Sequence, residues 1–469
     1  MRLLGRVWFW AAVELLVLVL LACIRAKLWT YGSDTGTFAQ IVADALHGMR
    51  NGVEGGSHFR YHWSPSLALL WPFVALTGSA LWLQLVQAVA TVACGPLISA
   101  LARPYAGERL AQQLGILTLL YPPLLALGFD EFHELGLFSV LVLALFLAAD
   151  RGRWVSFAIC GLAAVGLRED AALTLIFFGA ALAYLGARRH RNGVGLLDGS
   201  PRRGTALAGG LLASAGIASL SIYFLAIVPR VGEWGPSHFY MYPFAAGPVA
   251  LAAAPFAHPV AFARAILSFG RFTYLLEAFV PLLFLPLRSR WALLALPGGA
   301  VVLLANSGYV WRMGDHYAAL WIPWLLVATV MGVVAIERKA NERVAKNWSS
   351  AAAVICAFFL IAFDPLHPLH YLHPYYHDLA DARRALSCVP QGASLSTYDE
   401  WFSAVAARRP LATIDRTSGV DYLVYADDFP GDPNQRKMHS ALEREIASGQ
   451  YRVVCRFGGV AAYRRAESK

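Results

Sequence analysis

The chain has 469 residues, 58% of them hydrophobic and 15% charged, with a mean hydropathy of +0.51. That is too apolar for a water-soluble protein of this size, because a globule would leave much of it against water. The formal charge of +9 comes with no nucleic-acid-binding motif, and the arginines gather in short loops between apolar runs. The charge therefore reads as a topology signal, and nucleic acid is not an expected partner.

Apolar runs recur along the chain at a length that suits bilayer crossing, and they predict about eleven membrane helices. The first covers residues 7–24. Arg2 and Arg6 precede it and keep the N-terminus in the cytoplasm, and no small-residue cleavage site follows, so it reads as an uncleaved span rather than a signal peptide. The next segment, 25–64, is then outside. It holds Asp34 between Gly32 and Gly36, a stretch at 38–46 with the helical spacing of an interfacial helix, and the histidines His58 and His62.

Residues 65–77 are apolar but short, which suits a partly inserted helix. Spans at 81–102 and 110–128 bracket a cytoplasmic turn at 103–109 and lead outward to 129–134, which reads FDEFHE and is expected to be exposed. The chain returns through 135–149, turns at 150–153 and goes out through 154–166 to the outer stretch 167–170 with Arg168, Glu169 and Asp170. A span at 171–186 comes back to the most basic loop, 187–203, and 205–228 leads to a long outer segment, 229–271, rich in Pro, Gly and aromatics.

Spans at 272–285 and 291–305 join through Arg288 and Arg290, and the outer stretch 306–317 carries Arg312, Asp315 and His316. Spans at 318–336 and 348–363 flank a charged cytoplasmic turn at 337–347. With this threading the inner loops hold most of the Lys and Arg outside the tail, and the three acidic groups all fall on the outer face. After residue 363 the composition becomes that of a soluble protein. A linker at 364–384 leads to a module at 385–469 with strand-like runs at 393–397, 421–425, 451–455 and 460–463 and a helical stretch at 438–447.

The expected fold is thus an all-α polytopic membrane domain, 1–363, followed by a small extracytoplasmic α/β domain. Cys388 and Cys455 lie in that outer domain and can pair there, whereas Cys23, Cys94, Cys160 and Cys356 lie in apolar helices as packing residues.

Three places can carry chemistry. Asp34 reads either as a general base or metal-associated carboxylate, or as an N-cap of the helix that follows. Asp130, Glu131 and Glu134 repel one another unless a cation or a proton balances them. If that segment is helical, Asp130, His133 and Glu134 share a face that can hold a divalent ion or a hydroxyl-rich sugar; otherwise it is a solvated loop. Arg168 can bind a phosphate through its planar fork, or simply pair with Glu169 and Asp170 at a helix end. His62, Asp315 and His316 are polar loop residues from which a histidine can donate to a phosphate oxygen.

These residues, in the order Tyr31-x-x-Asp34-x-Gly36-x-Phe38-x-Gln40, then His62-x-Ser64-Pro65, then Phe129-Asp130 through His133-Glu134, then Arg168-Glu169-Asp170, resemble a family of predicted bacterial membrane proteins of undetermined function. The likeness extends to Asp315-His316-Tyr317 and to Asp421 through Tyr425 in the tail. That family is in turn similar to the GT-C glycosyltransferases, among them protein O-mannosyltransferases and aminoarabinose transferases.

The resemblance implies a GT-C-like bundle in the bacterial cytoplasmic (inner) membrane, with a polyprenyl-phosphate sugar as donor and a glycan, lipid or protein as acceptor on the outer side. Asp34 would match the acid of the first outer loop, as base or metal-associated carboxylate, and Asp130 or Glu131 the second outer acid. A divalent cation, Mg or Mn, would sit at Asp34 or Asp130. His62, His133, Glu134, Arg168, Glu169, Asp170, Asp315 and His316 would bind the phosphate or the sugar. Arg168 stands where the family usually has lysine, which keeps the charge but changes its geometry. Two other classes fit a polytopic chain with polar outer loops. One is a transporter or lipid flippase, although such proteins carry ionisable groups near the midplane and often internal repeats. The other is a scaffold whose outer module binds a partner.

Overall fold

The computed structural model describes residues 6–188, 193–232, 241–242, 248–308, 310–311, 313–337, 342–362, 379–406, 413–414, 419–427 and 433–466. Arg312, residues 364–378 of the expected linker and parts of the expected outer segment 229–271 lie outside the described residues. The chain divides into two compact units, one made of residues 1–19, 59–66 and 86–366, the other of 20–58, 67–85 and 367–469. The grouping follows contacts rather than chain order, for 20–58 and 67–85 share a unit with the C-terminal region.

Among the described residues, four helices are long and apolar enough to cross a membrane: Val7–Leu28, Leu81–Leu119, Glu169–Ala187 and Thr205–Val231. Shorter apolar helices lie at Pro65–Thr77, Trp154–Val165, Arg290–Leu304, Ile322–Glu337 and Ala351–Ile361. Several of the expected spans are therefore shorter, or more broken, than a single crossing needs.

The first unit shows why. Leu81–Leu119 contains Pro96 and Pro104 and is broken at Gly107, whose φ of 75° and ψ of 170° are open to glycine and costly for other residues. This break falls inside the turn expected at 103–109, and Arg103 pairs with Glu108 across it at 2.7 Å. The run expected at 110–128 is itself interrupted after Leu119, because Pro122 and Pro123 lack the N–H groups a continuing helix would use, and a new helix starts at Pro122–Phe129.

Helices Glu169–Ala187 and Thr205–Ile222 pack almost backbone to backbone. A methyl group placed on Gly179 would lie 2.6 Å from the amide nitrogen of Ala213, so only glycine fits this seam. The other side of Thr205–Val231 presents Leu207 and Leu225 at 70% and 78% exposure, a surface suited to hydrocarbon rather than to water. At the centre, Phe146, Phe178, Trp291 and Trp324 meet with ring centroids 4.5 to 5.8 Å apart and tie four segments together. Beyond that core, Asp150 accepts hydrogen bonds from Tyr105 and from the amide of Leu196 (2.8 Å), while Arg202 donates to its carbonyl (3.0 Å), so the segment 193–203 is pinned to the end of Phe138–Arg151.

The second unit holds the helix Ser33–Ala43, a short antiparallel pair β1 (Arg50–Asn51) and β2 (Gly56–Ser57), the helix Trp71–Thr77 and the C-terminal sheet. The sheet has strands β3 (Leu395–Thr397), β4 (Thr413–Ile414), β5 (Tyr422–Ala426), β6 (Tyr451–Phe457) and β7 (Val460–Arg465) in the order β4-β3-β5-β7-β6. β4, β3 and β5 are parallel; β5, β7 and β6 are antiparallel, with Leu423 opposite Tyr463. Every residue of β5 is buried, as expected of a central strand covered on both faces. Four of the five strands fall at or beside the runs expected from sequence, and β4 lies at none of them. The expected linker, by contrast, ends inside the helix Leu379–Ser387, which packs on the sheet.

Cys388 and Cys455 are joined by a disulfide whose Cα atoms are 6.6 Å apart, clasping the helix Leu379–Ser387 to β6. Both cysteines should resist alkylation in the folded, unreduced protein and take up the label only after reduction, as peptide mass spectrometry would read; labelling of either without reductant contradicts the bond.

Candidate functional site

The segment 129–134 is not the exposed, helix-like face its spacing suggested. Asp130 ends the helix Pro122–Phe129 in extended backbone, His133 is extended at φ −142° and ψ 145°, and a tight 3₁₀ turn begins only at Glu134–Leu137. Asp130 and Glu131 are half-buried, and Phe132, His133 and Glu134 are buried. The reason lies in Gln87, a polar residue in an apolar helix. Its side-chain amide donates to the carbonyls of Leu127 (2.8 Å) and Glu131 (3.1 Å), and its oxygen accepts from the amide of His133 (3.1 Å). One side chain thus satisfies three backbone groups that would otherwise hold the loop in water.

Around this loop the first unit gathers most of the residues singled out from sequence. Glu134 is fully buried; one carboxylate oxygen lies 2.9 Å from Nδ1 of His133 and the other 3.7 Å from Arg168. Arg168 precedes Glu169–Ala187 in extended backbone, pairs with Asp170 at 2.7 Å and lies over the Tyr317 ring with its guanidinium carbon 4.8 Å from the centroid. Glu169 and Asp170, in the first turn of that helix, also sit where negative charge is favoured by the helix dipole.

Glu169 takes His62 Nδ1 on one oxygen (2.7 Å) and the amide of Trp63 on the other (2.9 Å). Asp315 holds His316 at Nδ1 (2.8 Å), and the His316 and His133 rings stack with centroids 3.2 Å apart. Three imidazoles are therefore each oriented by a carboxylate at Nδ1, the arrangement that fixes a ring for work at its other nitrogen.

Burial sets the charges of this cluster. It pushes the Asp130 carboxyl up to about 7, with Asp315 and Glu131 adding to the effect. It pushes His133 down to about 3 although Glu134 opposes the change. Burial would also raise Glu134 and Asp315, but His133 and Arg168 hold Glu134 well below the usual carboxylate range, and His316 does the same for Asp315. Acidic groups outnumber permanent cations here, so the site favours hydroxyl and cationic ligand groups over bare anions unless its histidines are protonated.

Asp34 belongs to the second unit, in the first turn of Ser33–Ala43, and is exposed while Thr35 to Ala43 are buried. His58, in the same unit, pairs with Glu54 at 2.8 Å. Among the described residues no group of three His, Cys, Asp or Glu side chains is arranged to hold a metal ion, so the carboxylates expected to bind one are not built into such a set. Sequence reasoning passed over Gln87 and gave Tyr317 no role; a glutamine inside an apolar run was the available signal for the first, since such residues bond within the protein.

The profile of a family described as "Predicted membrane protein (DUF2079)" matches residues 26–461. No curated protein matches the chain. Among solved structures, the chain is similar to ArnT from Cupriavidus metallidurans bound to undecaprenyl phosphate, with 12% identity, a TM-score of 0.53 and 97% of each chain covered. The same protein in the apo state gives 13% identity and a TM-score of 0.55, over 95% of this chain and 97% of that one. At these identities the likeness is one of fold.

Two outcomes follow from the buried charges. Arg168→Ala leaves the Glu134 charge without its main counter-charge and should cost about 3–5 kcal/mol of stability, part of which Glu134→Gln in the same chain restores; equal melting of Arg168→Ala and wild type would exclude this coupling. Asp130 binds its proton more tightly folded than unfolded, so its contribution to stability is full below its ordinary value near 3.8 and is lost as pH rises through about 7. Thermal melts of wild type and Asp130→Asn in detergent should therefore differ in slope between about pH 4 and pH 7; parallel curves would contradict it.

Proposed function

This chain belongs to the DUF2079 family of predicted membrane proteins, and from that premise we propose that it is a glycosyltransferase moving a sugar from a polyprenyl-phosphate donor to an acceptor outside the cytoplasmic membrane. The observation that carries this reading is the buried network around Glu134. Hydrophobic packing gives no reason to bury Glu134, His133 and Arg168 together, and membrane proteins that bear such a desolvation cost commonly do so at a site of function. The fold supports the choice of chemistry, since ArnT from Cupriavidus metallidurans was crystallised with undecaprenyl phosphate.

In this reading Asp34 takes the proton of an acceptor hydroxyl while that oxygen bonds to the anomeric carbon of the sugar. The bond from that carbon to the phosphate oxygen breaks, and its electron pair leaves with the lipid phosphate. Asp130 and Glu131 accept hydroxyl hydrogen bonds from the sugar or serve as the second acid. His62 and His316, held at Nδ1 by Glu169 and Asp315, donate from the other ring nitrogen to the departing phosphate when protonated. Arg168, engaged by Asp170 and facing Glu134, offsets the negative charge of the cluster as the phosphate forms, and His133 with Glu134 keeps its place. No step is assigned to a divalent cation.

The N-terminus is placed in the cytoplasm and the C-terminal region outside, where the disulfide Cys388–Cys455 suits an oxidising compartment. We infer about eleven membrane segments, of which the four long apolar helices and the five shorter ones account for nine among the described residues.

The test is transfer of a radiolabelled sugar from synthetic polyprenyl-phosphate sugars by the protein in membrane vesicles. Asp34→Asn should lower transfer by roughly 10²- to 10⁴-fold with unchanged melting and vesicle incorporation; transfer at the wild-type rate would end the assignment of Asp34 as base.

A further inference from the structure

The geometry points to the C-terminal region as the device that positions Asp34, with Asp399 capping the helix that carries it and Phe402 fixing how deep that helix sits. This rests on the reading of Asp34 given above and goes beyond it, because it gives the soluble-looking tail a task in the reaction instead of a partner to bind.

The helix Ser33–Ala43 begins after Gly32 with no side-chain cap of its own. Its first amide is an orphan donor, and such donors need an acceptor when the helix end is enclosed. The acceptor comes from more than 360 positions along the chain: both the amide and the hydroxyl of Ser33 bond to the Asp399 carboxylate. A carboxylate at a helix N-terminus adds favourable charge–dipole energy to those hydrogen bonds.

Three residues on, Gly36 meets the helix Asp399–Val405 face to face. A methyl group on Gly36 would lie 2.9 Å from Cε1 of Phe402 and 3.2 Å from Cα of Ser403, so the ring and the tail's backbone set the closest approach of the Asp34 helix. Phe402 and Trp401 are both fully buried, so neither is free to swing aside. Between Ser33 and Gly36, Thr35 is fixed from another element, its hydroxyl accepting from Gln84 at 2.9 Å.

The chain that enters the helix is held by the same region. Trp29 has φ 55°, an unusual value for a bulky residue, and packs edge-on against Trp401 with centroids 6.4 Å apart. Arg383 lies over the Trp29 ring and donates to the Lys27 carbonyl. Residues 27, 29, 33 and 36 are thus all held by the tail, while Asp34 between them is exposed. A carboxylate that must meet a hydroxyl within hydrogen-bond reach needs this sort of fixed backbone, since errors near 1 Å are costly to catalysis.

The test uses full-length protein in vesicles and a readout that needs no sugar donor. Position 34 is made Asp34→Cys, and its labelling rate with a methanethiosulfonate reagent is measured by peptide mass spectrometry, which resolves it from the native cysteines. Adding Gly36→Ala should change that rate about tenfold, and adding Phe402→Ala to that chain should bring it back to within about twofold. Asp399→Ala should shift the rate similarly, while Asp399→Asn, which still offers an acceptor oxygen, should not.

Rates unmoved by both Gly36→Ala and Asp399→Ala, or a Gly36→Ala effect that Phe402→Ala does not relieve, overturn the proposal. Should Gly36→Ala fail to fold, the Asp399→Ala and Asp399→Asn pair decides alone. Loss of the positioning effect leaves the transfer result with Asp34→Asn standing, whereas coupled labelling beside normal transfer by Asp34→Asn removes Asp34 from the chemistry and keeps the clamp.

Discussion

A carboxylate sealed from water sets the charge arrangement of the first unit's candidate site. Glu134 has no solvent exposure, and an ionised group in that setting is tolerated only when counter-charge stands beside it. Arg168 supplies it and His133 adds a hydrogen-bonding contact, and each of them then needs its own support. Arg168 is steadied by Asp170 and the Tyr317 ring, and His133 by the stacked ring of His316, which Asp315 holds in turn. The start of the helix Glu169–Ala187, the loop at 130–134 and the turn at His316–Leu320 are thereby bound to one another through charge as well as packing. Breaking one link leaves a group that has nothing to neutralise it.

Much of the architecture could be read from the residues alone, because long apolar runs and proline or glycine breaks act locally. The turn near Gly107 and the tail strands β3, β5, β6 and β7 fell where their patterns put them. Two things did not follow from pattern. The run at 110–128 looked continuous by hydropathy, yet Pro122 and Pro123 split it, since backbone hydrogen bonding and not apolarity decides whether a helix continues. The acidic segment 129–134 looked solvated because it is charged, and it is buried because Gln87, some 40 residues earlier, satisfies its backbone. Long-range pairing of this sort leaves no periodic trace.

The candidate residues were legible as types and in part as partners. His62, Glu169, Arg168, Asp170, His133, Glu134, Asp315 and His316 do assemble within the first unit, although nothing in the residue pattern says which imidazole faces which carboxylate. Arg168 is held by carboxylates, so its ion-pairing character, one of the two readings open at the outset, is plainly expressed. Asp34 stands apart from these in kind: it is exposed, on a helix whose neighbours are buried.

The second unit closes from segments at opposite ends of the polypeptide, residues 27–36 against 383–403. Translation makes residues 27–36 long before 383–403, so the helix Ser33–Ala43 waits without its cap or its packing surface until the later segment has been made. Docking of that helix is therefore tied to synthesis of the later segment. A chain that stalls before residues 383–403 are made leaves the Asp34 helix undocked, with the face that packs on Phe402 uncovered.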